Sequence, residues 1–245
     1  NTMCCLAEAM GMSLPGTAAI PAVYSRRMAE AYNSGLAVME LVRRNIRPRD
    51  IVTRAALVNA IKVNSAIGGS TNAVLHLLAI AYEAGIDLDI FTFGKISMSI
   101  PHLVPMIPAG KYTLLDFYEA GGVPAIMREL GDELTLDGMT CTGRTSAENL
   151  EQFSNRNRDV IRPLTHPVHR CGGIGILRGN LAPDGAVTKP SAIPETALRF
   201  AGPARIYESE DDALRGIRAH EVREGEVVVI RNEGPRGGPG MPEMY

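Results

Sequence analysis

A glycine pair followed by small polar residues is the first feature of this sequence that could bind a ligand. Gly68 and Gly69 permit backbone conformations that are closed to other residues, and Ser70, Thr71 and Asn72 follow them directly. If a helix begins here, the hydroxyl, amide and backbone N–H groups would form a seat for a carboxylate or a phosphate. The simpler interpretation is a glycine that ends one helix and a Ser/Thr cap that begins the next. The residues by themselves leave both interpretations open.

A second polar loop lies near the end of the sequence, between Glu233 and Glu243. It follows the strongest β-like run, Val227–Ile230, and contains Arg236 among glycines and prolines. Strands that end in glycine-rich loops commonly build sites, and the two carboxylates could bind a hard metal ion. The alternative is a flexible turn. A Walker loop is excluded, because the lysine and the hydroxyl residue after it are absent.

The four cysteines and five histidines form no familiar catalytic or metal-binding pattern. Cys4 and Cys5 are neighbours, so on a helix their side chains would point about 100° apart, which suits buried packing better than joint metal binding. Cys141 and Cys171 stand alone, without the spacing of a common metal motif. His76 falls on an apolar helix face, which indicates a core or interface histidine. This cysteine usage does not indicate a disulfide framework and favours a reducing cytoplasm.

Helices must position the first of these loops, and strands the second. Up to about residue 154, apolar residues recur at helical spacing, with Gly and Pro between the segments. After about residue 158, short β-like runs alternate with Gly, Pro and Asp turns. This change predicts an α-rich α/β region followed by the start of a β-barrel or sandwich, with the boundary near Pro163–Gly172.

The predicted elements lie on both sides of the two loops. The helical segments are Thr2–Met10, Ser25–Asn45, Arg54–Ile67, Asn72–Ala84, Leu114–Glu119, Gly122–Leu130 and Ser209–Ile217. The β-like runs are Ile174–Leu177, Gly185–Thr188, Ala204–Tyr207 and Glu226–Arg231. The long segment from Ser25 rests on an apolar repeat that includes Met28, Tyr32 and Leu36.

Composition limits the classes of protein to which the chain can belong. Its 245 residues suit one large or two modest domains, and 45% hydrophobic with 21% charged residues is an ordinary globular balance. A formal net charge of −2 gives no sign of binding to nucleic acid or to an anionic membrane. No apolar run is long enough to span a bilayer, and no signal-peptide pattern opens the sequence. The abrupt start and end lead us to expect an internal piece of a longer protein.

Four stretches, in order along the chain, resemble the dihydroxy-acid/phosphogluconate dehydratase family. They are NTMCCLAEAMGMSLPG from Asn1, AIGGSTN from Ala66, GNLAPDGAVTK from Gly179 and VVVIRNEGPRGGPGMPEM from Val227. Because the likeness covers nearly the whole chain, chance is a poor explanation. The resemblance implies an α/β fold in which residues 1–165 are the C-terminal part of an α/β dehydratase domain. Residues 166–245 would then be the first part of a β-barrel domain.

The resemblance also implies a reaction. These hydro-lyases remove water from a 2,3-dihydroxy acid to give a 2-keto acid, as dihydroxy-acid dehydratase does in branched-chain amino acid biosynthesis. An iron–sulfur cluster held by three cysteines would act as a Lewis acid on the leaving hydroxyl, and Mg²⁺ would bind the carboxylate side of the substrate. A serine would take the C2 proton. The implied protein is a cytoplasmic homo-oligomer, usually a dimer or tetramer, that acts on a small molecule.

Only part of that implied site falls within this sequence. The resemblance assigns Glu243 as a metal ligand, for magnesium, and the substrate-binding residues expected here are Ser70, Thr71 and Asn72. The cluster cysteines would precede Asn1 and the catalytic serine would follow Tyr245, so no catalytic residue is assigned. We therefore expect the 245-residue chain on its own to hold no iron–sulfur cluster and to have no dehydratase activity.

Two alternatives stay open at this point. A sugar-acid dehydratase, acting on an aldonate or a phosphogluconate, is also compatible with Pro108–Tyr112 and with Asp116–Tyr118. The second alternative is a non-catalytic, truncated fold unit without metal sites. Iron content and turnover would separate the enzyme from the fold unit.

Overall fold

A computed structural model of the protein describes residues 1–234. Contacts between residues divide the chain into two units, Asn1–Ile193 and Pro194–Tyr245. The helices of the first unit are α1 (Thr2–Ala9), α2 (Ser25–Arg44), α3 (Pro48–Ile51), α4 (Arg54–Ala66), α5 (Asn72–Ala84), α6 (Ile90–Ser99), α7 (Leu114–Glu119), α8 (Gly122–Leu130) and α9 (Ser146–Leu150). Its strands β1 (Gly175–Leu177) and β2 (Ala186–Thr188) pair antiparallel. The second unit contains β3 (Ala204–Tyr207), α10 (Glu210–Arg218) and β4 (Val227–Ile230).

Helix α4 lies at the centre of the first unit and packs against α1, α5, α6 and α8. Leu57 and Ile61 are fully buried in the hydrophobic core that these helices share. Because neighbours cover the helix on most sides, its polar residues Asn59, Asn64 and Ser65 are buried as well. Ser65 meets this constraint by donating its hydroxyl to the backbone oxygen of Ile61. The core therefore holds the helix that leads into the Gly68–Gly69 turn.

Helix α2 forms as predicted, but none of its residues is buried. Met28 is 75% exposed and Tyr32 is 71% exposed, although both belong to the apolar repeat that predicts the helix. An apolar repeat indicates which residues share a helix face, and it does not indicate what covers that face. Despite this apolar surface, no helix in the part of the chain that the structure describes has the length and apolar character needed to cross a lipid bilayer.

The bounds of most elements are close to the predicted ones, and α5, α7 and α8 match them. The sequence reasoning missed α6, because its β-branched and aromatic residues and Gly94 weaken the helical signal. The capping residue before α6 is a sequence signal that could have revealed this helix. Asp89 precedes the helix and accepts a hydrogen bond from the backbone N–H of Thr92 at 2.7 Å.

The second unit is a parallel β–α–β motif. Strand β3 pairs with β4 in register from Ala204 opposite Val227 to Tyr207 opposite Ile230, and α10 connects them. The beginning of a β-barrel predicted for residues 166–245 is not confirmed, because the strands of residues 1–234 form two separate two-stranded sheets. Strands of three or four residues with one neighbour each do not close a barrel. The predicted boundary between residues 165 and 166 stays a prediction.

A buried carboxylate connects α1 to the loop that follows it. Glu8, at 6% exposure, accepts hydrogen bonds from the backbone N–H groups of Gly16 at 2.7 Å, Thr17 at 3.1 Å and Ala18 at 2.7 Å. Burial raises the pKa of Glu8 to about 7, although these three N–H groups favour the charged form. The geometry of this loop therefore does not depend on packing alone, because a single side chain supplies acceptors for three backbone donors.

We expect Glu8→Gln to destabilise the protein by about 1–3 kcal/mol, since the amide nitrogen would face a buried N–H and leave it without an acceptor. The native carboxyl, whose pKa is raised from 4.5 to about 7, binds a proton more readily in the folded state than in the unfolded chain. Its contribution to stability should therefore fall as the pH rises from 4.5 to 7, and Glu8→Gln should lack that slope. Urea unfolding across this range measures both effects.

The matched control is Glu40→Gln on α2, where the carboxylate is 51% exposed and should contribute within about 0.5 kcal/mol. Equal midpoints of unfolding for the two variants would contradict a structural role for Glu8.

Candidate functional site

A cavity of about 580 Å³ opens beside the Gly68–Gly69 turn, within the first unit. The start of α1, the connection between α4 and α5, the segment before α7 and the residue after β2 all contribute to its wall. The side chains with polar groups that line it include Thr2, Ser70, Thr71 and Lys189. The apolar part of the wall is formed by Ile67, Met106, Ile107, Pro108 and Leu114, with the ring of Tyr112. A concave, largely apolar wall with a few polar groups is typical of a small-molecule site.

The glycine turn lies directly against the core. Gly68 has a φ of +58°, and a Cβ at this position would lie 2.5 Å from Nε2 of His102. A Cβ at Gly69 would collide with Oδ1 of Asn64, whose amide makes no side-chain hydrogen bond within residues 1–234. Both glycines are therefore needed for the close approach of the turn to α4 and His102.

Ser70 and Thr71, which follow the turn, have different roles at the start of α5. The Ser70 hydroxyl accepts the backbone N–H of Asn72 at 3.2 Å, and the Ser70 N–H donates to the Thr2 hydroxyl at 3.2 Å. Thr71 occupies the N-cap position, but its side chain makes no capping hydrogen bond. The cap interpretation therefore accounts for Ser70 and leaves the Thr71 hydroxyl available to the cavity. Asn72 is the first residue of α5 and is not among the residues that line the cavity.

Lys189 brings a positive charge to the same wall. Its Nζ donates a hydrogen bond to the backbone oxygen of Gly68 at 2.7 Å, so the residue after β2 is connected to the glycine turn. The side chain is half-buried, and burial lowers the pKa of its ammonium group. None of the ion pairs within residues 1–234 includes Lys189.

His102 packs closely against Gly68 of the glycine turn. It is fully buried, its Nε2 lies 2.8 Å from the backbone oxygen of Val104, and its ring stacks on His169 with centroids 5.4 Å apart. Burial is the main reason that the pKa of His102 falls to about 4, and electrostatic interactions with His169 and Lys189 lower it further. The ring is therefore neutral at pH 7 and donates from Nε2. The sequence reasoning found no role for this histidine, because its partners are distant in the chain.

Two of the four cysteines, Cys5 and Cys141, lie at least partly away from solvent, and Cys4 and Cys171 are exposed. Burial raises the pKa of Cys5 to about 12 and that of Cys141 to about 11, so both stay protonated thiols at pH 7. Within residues 1–234 no group of three or more His, Cys, Asp and Glu side chains is arranged to hold a metal ion. Glu243, the predicted magnesium ligand, lies outside the described residues. The residues that could hold an iron–sulfur cluster or a magnesium ion are therefore not brought together within residues 1–234.

Of the predicted site residues, Ser70 and Thr71 meet at the cavity. The structure adds Thr2 and Lys189, which belong to two other family-like stretches of the sequence. The sequence could have indicated Thr2 and Lys189 as site residues, because stretches that resemble one family are expected to converge on a shared site. His76, predicted as a core or interface histidine, is exposed on α5.

We expect the stability of the protein to fall as the pH drops from 6.5 towards 4, in part because of His102. The unfolded chain takes up a proton at an ordinary pKa of 6.5, whereas the folded state does so only at about 4. His102→Gln, whose amide can still donate to the Val104 oxygen, should lack this part of the slope. Thermal melts across this pH range measure it. His76→Gln is the control and should keep the acid slope of the native protein. If His102→Gln also keeps that slope, the assignment to His102 is wrong.

Comparison with known proteins places these observations in a family. The N-terminal part of the dihydroxy-acid/6-phosphogluconate dehydratase family matches residues 1–149, and its C-terminal part matches residues 159–245. Curated proteins named dihydroxy-acid dehydratase are 51% identical in Caldanaerobacter subterraneus subsp. tengcongensis, 48% in Methanospirillum hungatei and 52% in Renibacterium salmoninarum. Each alignment covers 100% of this chain, which spans only 43–44% of the relative's length. The chain belongs to the dihydroxy-acid/6-phosphogluconate dehydratase family.

Proposed function

We propose that these 245 residues are the middle part of a hydro-lyase that dehydrates a 2,3-dihydroxy acid to a 2-keto acid. The reaction we favour is that of dihydroxy-acid dehydratase in branched-chain amino acid biosynthesis. The observation that carries the proposal is the convergence of three family-like stretches on one cavity, through Thr2, Ser70 with Thr71, and Lys189. The names of the relatives support the same reaction.

The part we assign to this chain is substrate binding. Ser70 and Thr71 lie at the N-terminal end of the 13-residue helix α5, where hydroxyls and the positive end of the helix dipole favour an anionic group. Asn72, the first residue of that helix, stays a predicted substrate-binding residue, although it does not line the cavity. When bound, the iron–sulfur cluster and Mg²⁺ would supply Lewis-acid chemistry. The described residues supply no complete ligand set for either, so we assign no bond-breaking step to them.

Further proposals concern the complete protein. We infer that Glu243 is a magnesium ligand, and that residues 166–245 begin a β-barrel domain after an α/β domain that ends near residue 165. We also infer a cytoplasmic homo-oligomer with a small-molecule substrate. These inferences are supported by the family-like stretches and by the position of Glu243 after a strand and a glycine-rich segment.

Sugar-acid dehydration is the second candidate function. Pro108 and Tyr112, from the segment that is also compatible with sugar-acid dehydratases, line the same cavity as Ser70 and Thr71. The phenol of Tyr112 could hydrogen-bond a hydroxylated substrate. The apolar neighbours of Tyr112 favour the branched-chain acid.

We expect the complete protein to convert 2,3-dihydroxyisovalerate to its keto acid with a kcat/KM at least about tenfold higher than for gluconate, because an apolar wall selects against hydroxylated tails. Keto-acid formation with each substrate at several concentrations measures this ratio. A higher kcat/KM for gluconate would favour the second candidate, and no turnover of either acid would contradict the proposed function.

We expect Glu243→Ala in the complete protein to lower turnover by about a hundredfold and to raise the magnesium concentration needed for half-maximal activity, since Mg²⁺ binds few protein carboxylates. Stability should stay within about 0.5 kcal/mol. Magnesium titration of activity, with thermal melts alongside, tests both expectations. Glu224→Ala provides an exposed control in the second unit. Normal magnesium dependence in Glu243→Ala would show that Glu243 is not a ligand.

A further inference from the structure

Helix α2 lacks most of the packing that usually stabilises a helix. Among residues 1–234, no other helix or strand packs extensively against it, and none of its 20 residues is buried. On the side that faces the first unit, a groove of about 450 Å³ separates α2 from the loop after α1 and from α3. Helices in proteins gain most of their stability from an apolar face that packs against other elements. Within the described residues, α2 therefore has no element that could stabilise it in this way.

The exposed apolar residues of α2 have the spacing of a contact between two helices. Five exposed residues recur at alternating steps of three and four positions: Met28, Ala31, Gly35, Val38 and Val42. This alternation places them in one stripe along the helix, which is called the α2 stripe below. Such a stripe is typical of helices that pack side by side along their length.

Gly35 lies in the middle of the α2 stripe and weakens the isolated helix, because glycine is an unfavourable residue in a helix interior. A Cβ at this position would meet no other atom within 4 Å among residues 1–234. The described residues therefore give no reason for a glycine here. A position without a side chain does allow a second helix to approach closely, since the distance between packed helices depends on the side chains at their contact.

The charges of α2 disfavour a second copy of this chain on the α2 stripe. The helix carries four arginines and two glutamates. If two copies paired antiparallel about Gly35, Arg27 of one copy would approach Arg43 of the other. A parallel pair would bring each arginine towards its own counterpart. Like charges that face each other disfavour an interface, so an element with acidic residues is the better match for α2.

The remainder of the same polypeptide can supply such an element. This chain spans only 43–44% of the length of its relatives, so more than half of a protein of that length lies outside it. A segment that belongs to the same polypeptide is present at a high effective concentration and binds without the cost of associating two molecules.

From these observations we infer that an acidic helix of the complete polypeptide, from outside these 245 residues, packs along the α2 stripe and crosses it close to Gly35. The inference rests on the part of the proposed function that makes this chain a piece of a longer protein. It does not depend on the reaction that the longer protein catalyses.

Photo-cross-linking in the complete protein identifies what covers the α2 stripe. Tyr32 is 71% exposed and lies beside the stripe, next to Ala31. The variant Tyr32→p-benzoylphenylalanine keeps an aromatic side chain and reacts with its neighbours under ultraviolet light. We expect the cross-linked product to keep the mass of one polypeptide on a denaturing gel. Peptide mass spectrometry should locate the cross-link in a segment outside these 245 residues.

Gly35→Ala and Gly35→Leu test the close approach. If only water covers the stripe, both variants should raise the melting temperature of the complete protein, because alanine and leucine favour a helix more than glycine does. A helix packed against Gly35 reverses the sign. Gly35→Leu should then lower the melting temperature by about 3 °C or more, since overpacking a contact is destabilising, and Gly35→Ala should lower it less.

Asn33→Leu is the matched control. Asn33 is exposed on α2 and lies two residues before Gly35, so its side chain points to the other side of the helix. This variant should change the melting temperature by less than about 1 °C. If Gly35→Leu does not fold, Gly35→Ala and the cross-link still decide the question.

Three outcomes would contradict the inference. A cross-linked product with twice the mass of the polypeptide would assign the α2 stripe to a second copy. A cross-link to another residue within this chain, or no cross-link at all, would show that no outside segment lies on the stripe. A higher melting temperature for both Gly35 variants would show that the stripe faces solvent. A complete protein that gives the expected cross-link and dehydrates no dihydroxy acid would instead contradict the proposed function alone.

Discussion

The close approach of the Gly68–Gly69 turn to the buried core is the constraint on which the candidate site depends. His102 and Asn64 occupy the space that side chains at these two positions would need. Because the turn lies so close to the core, the start of α5 and the hydroxyls of Ser70 and Thr71 are positioned by residues that cannot easily move. The backbone oxygen of Gly68 in this turn accepts the hydrogen bond from Lys189.

Long-range polar contacts to the backbone hold the rest of the wall. Thr2 accepts the N–H of Ser70, Lys189 donates to Gly68, and Glu8 accepts three N–H groups of the loop after α1. Such bonds fix the backbone of these segments, because a buried backbone group without a partner costs free energy. Glu8 therefore gives one of the family-like stretches a structural role.

The surface of the first unit shows a different constraint. Helix α2 presents Met28, Tyr32 and other apolar side chains to solvent, although its sequence has the spacing of a packed helix. The same chain spans less than half of the length of its relatives. Helix α2 is amphipathic, but no other element within residues 1–234 buries its apolar side chains. Amphipathicity and burial are therefore separate properties of a helix.

Local residue order determined much of what could be predicted here. Helices α5, α7 and α8, the strand β3 and the polar turn at Ser70 and Thr71 follow from periodicity, caps and glycines, which act between near neighbours in the chain. Family membership was also readable, because the motifs are contiguous. Only the tertiary structure decided that Lys189 and Thr2 meet that turn, that His102 is buried behind it, and that β3 pairs in parallel with β4. These contacts join residues far apart in sequence, and the free energy that selects them comes from packing and desolvation in the folded chain, which no local pattern records.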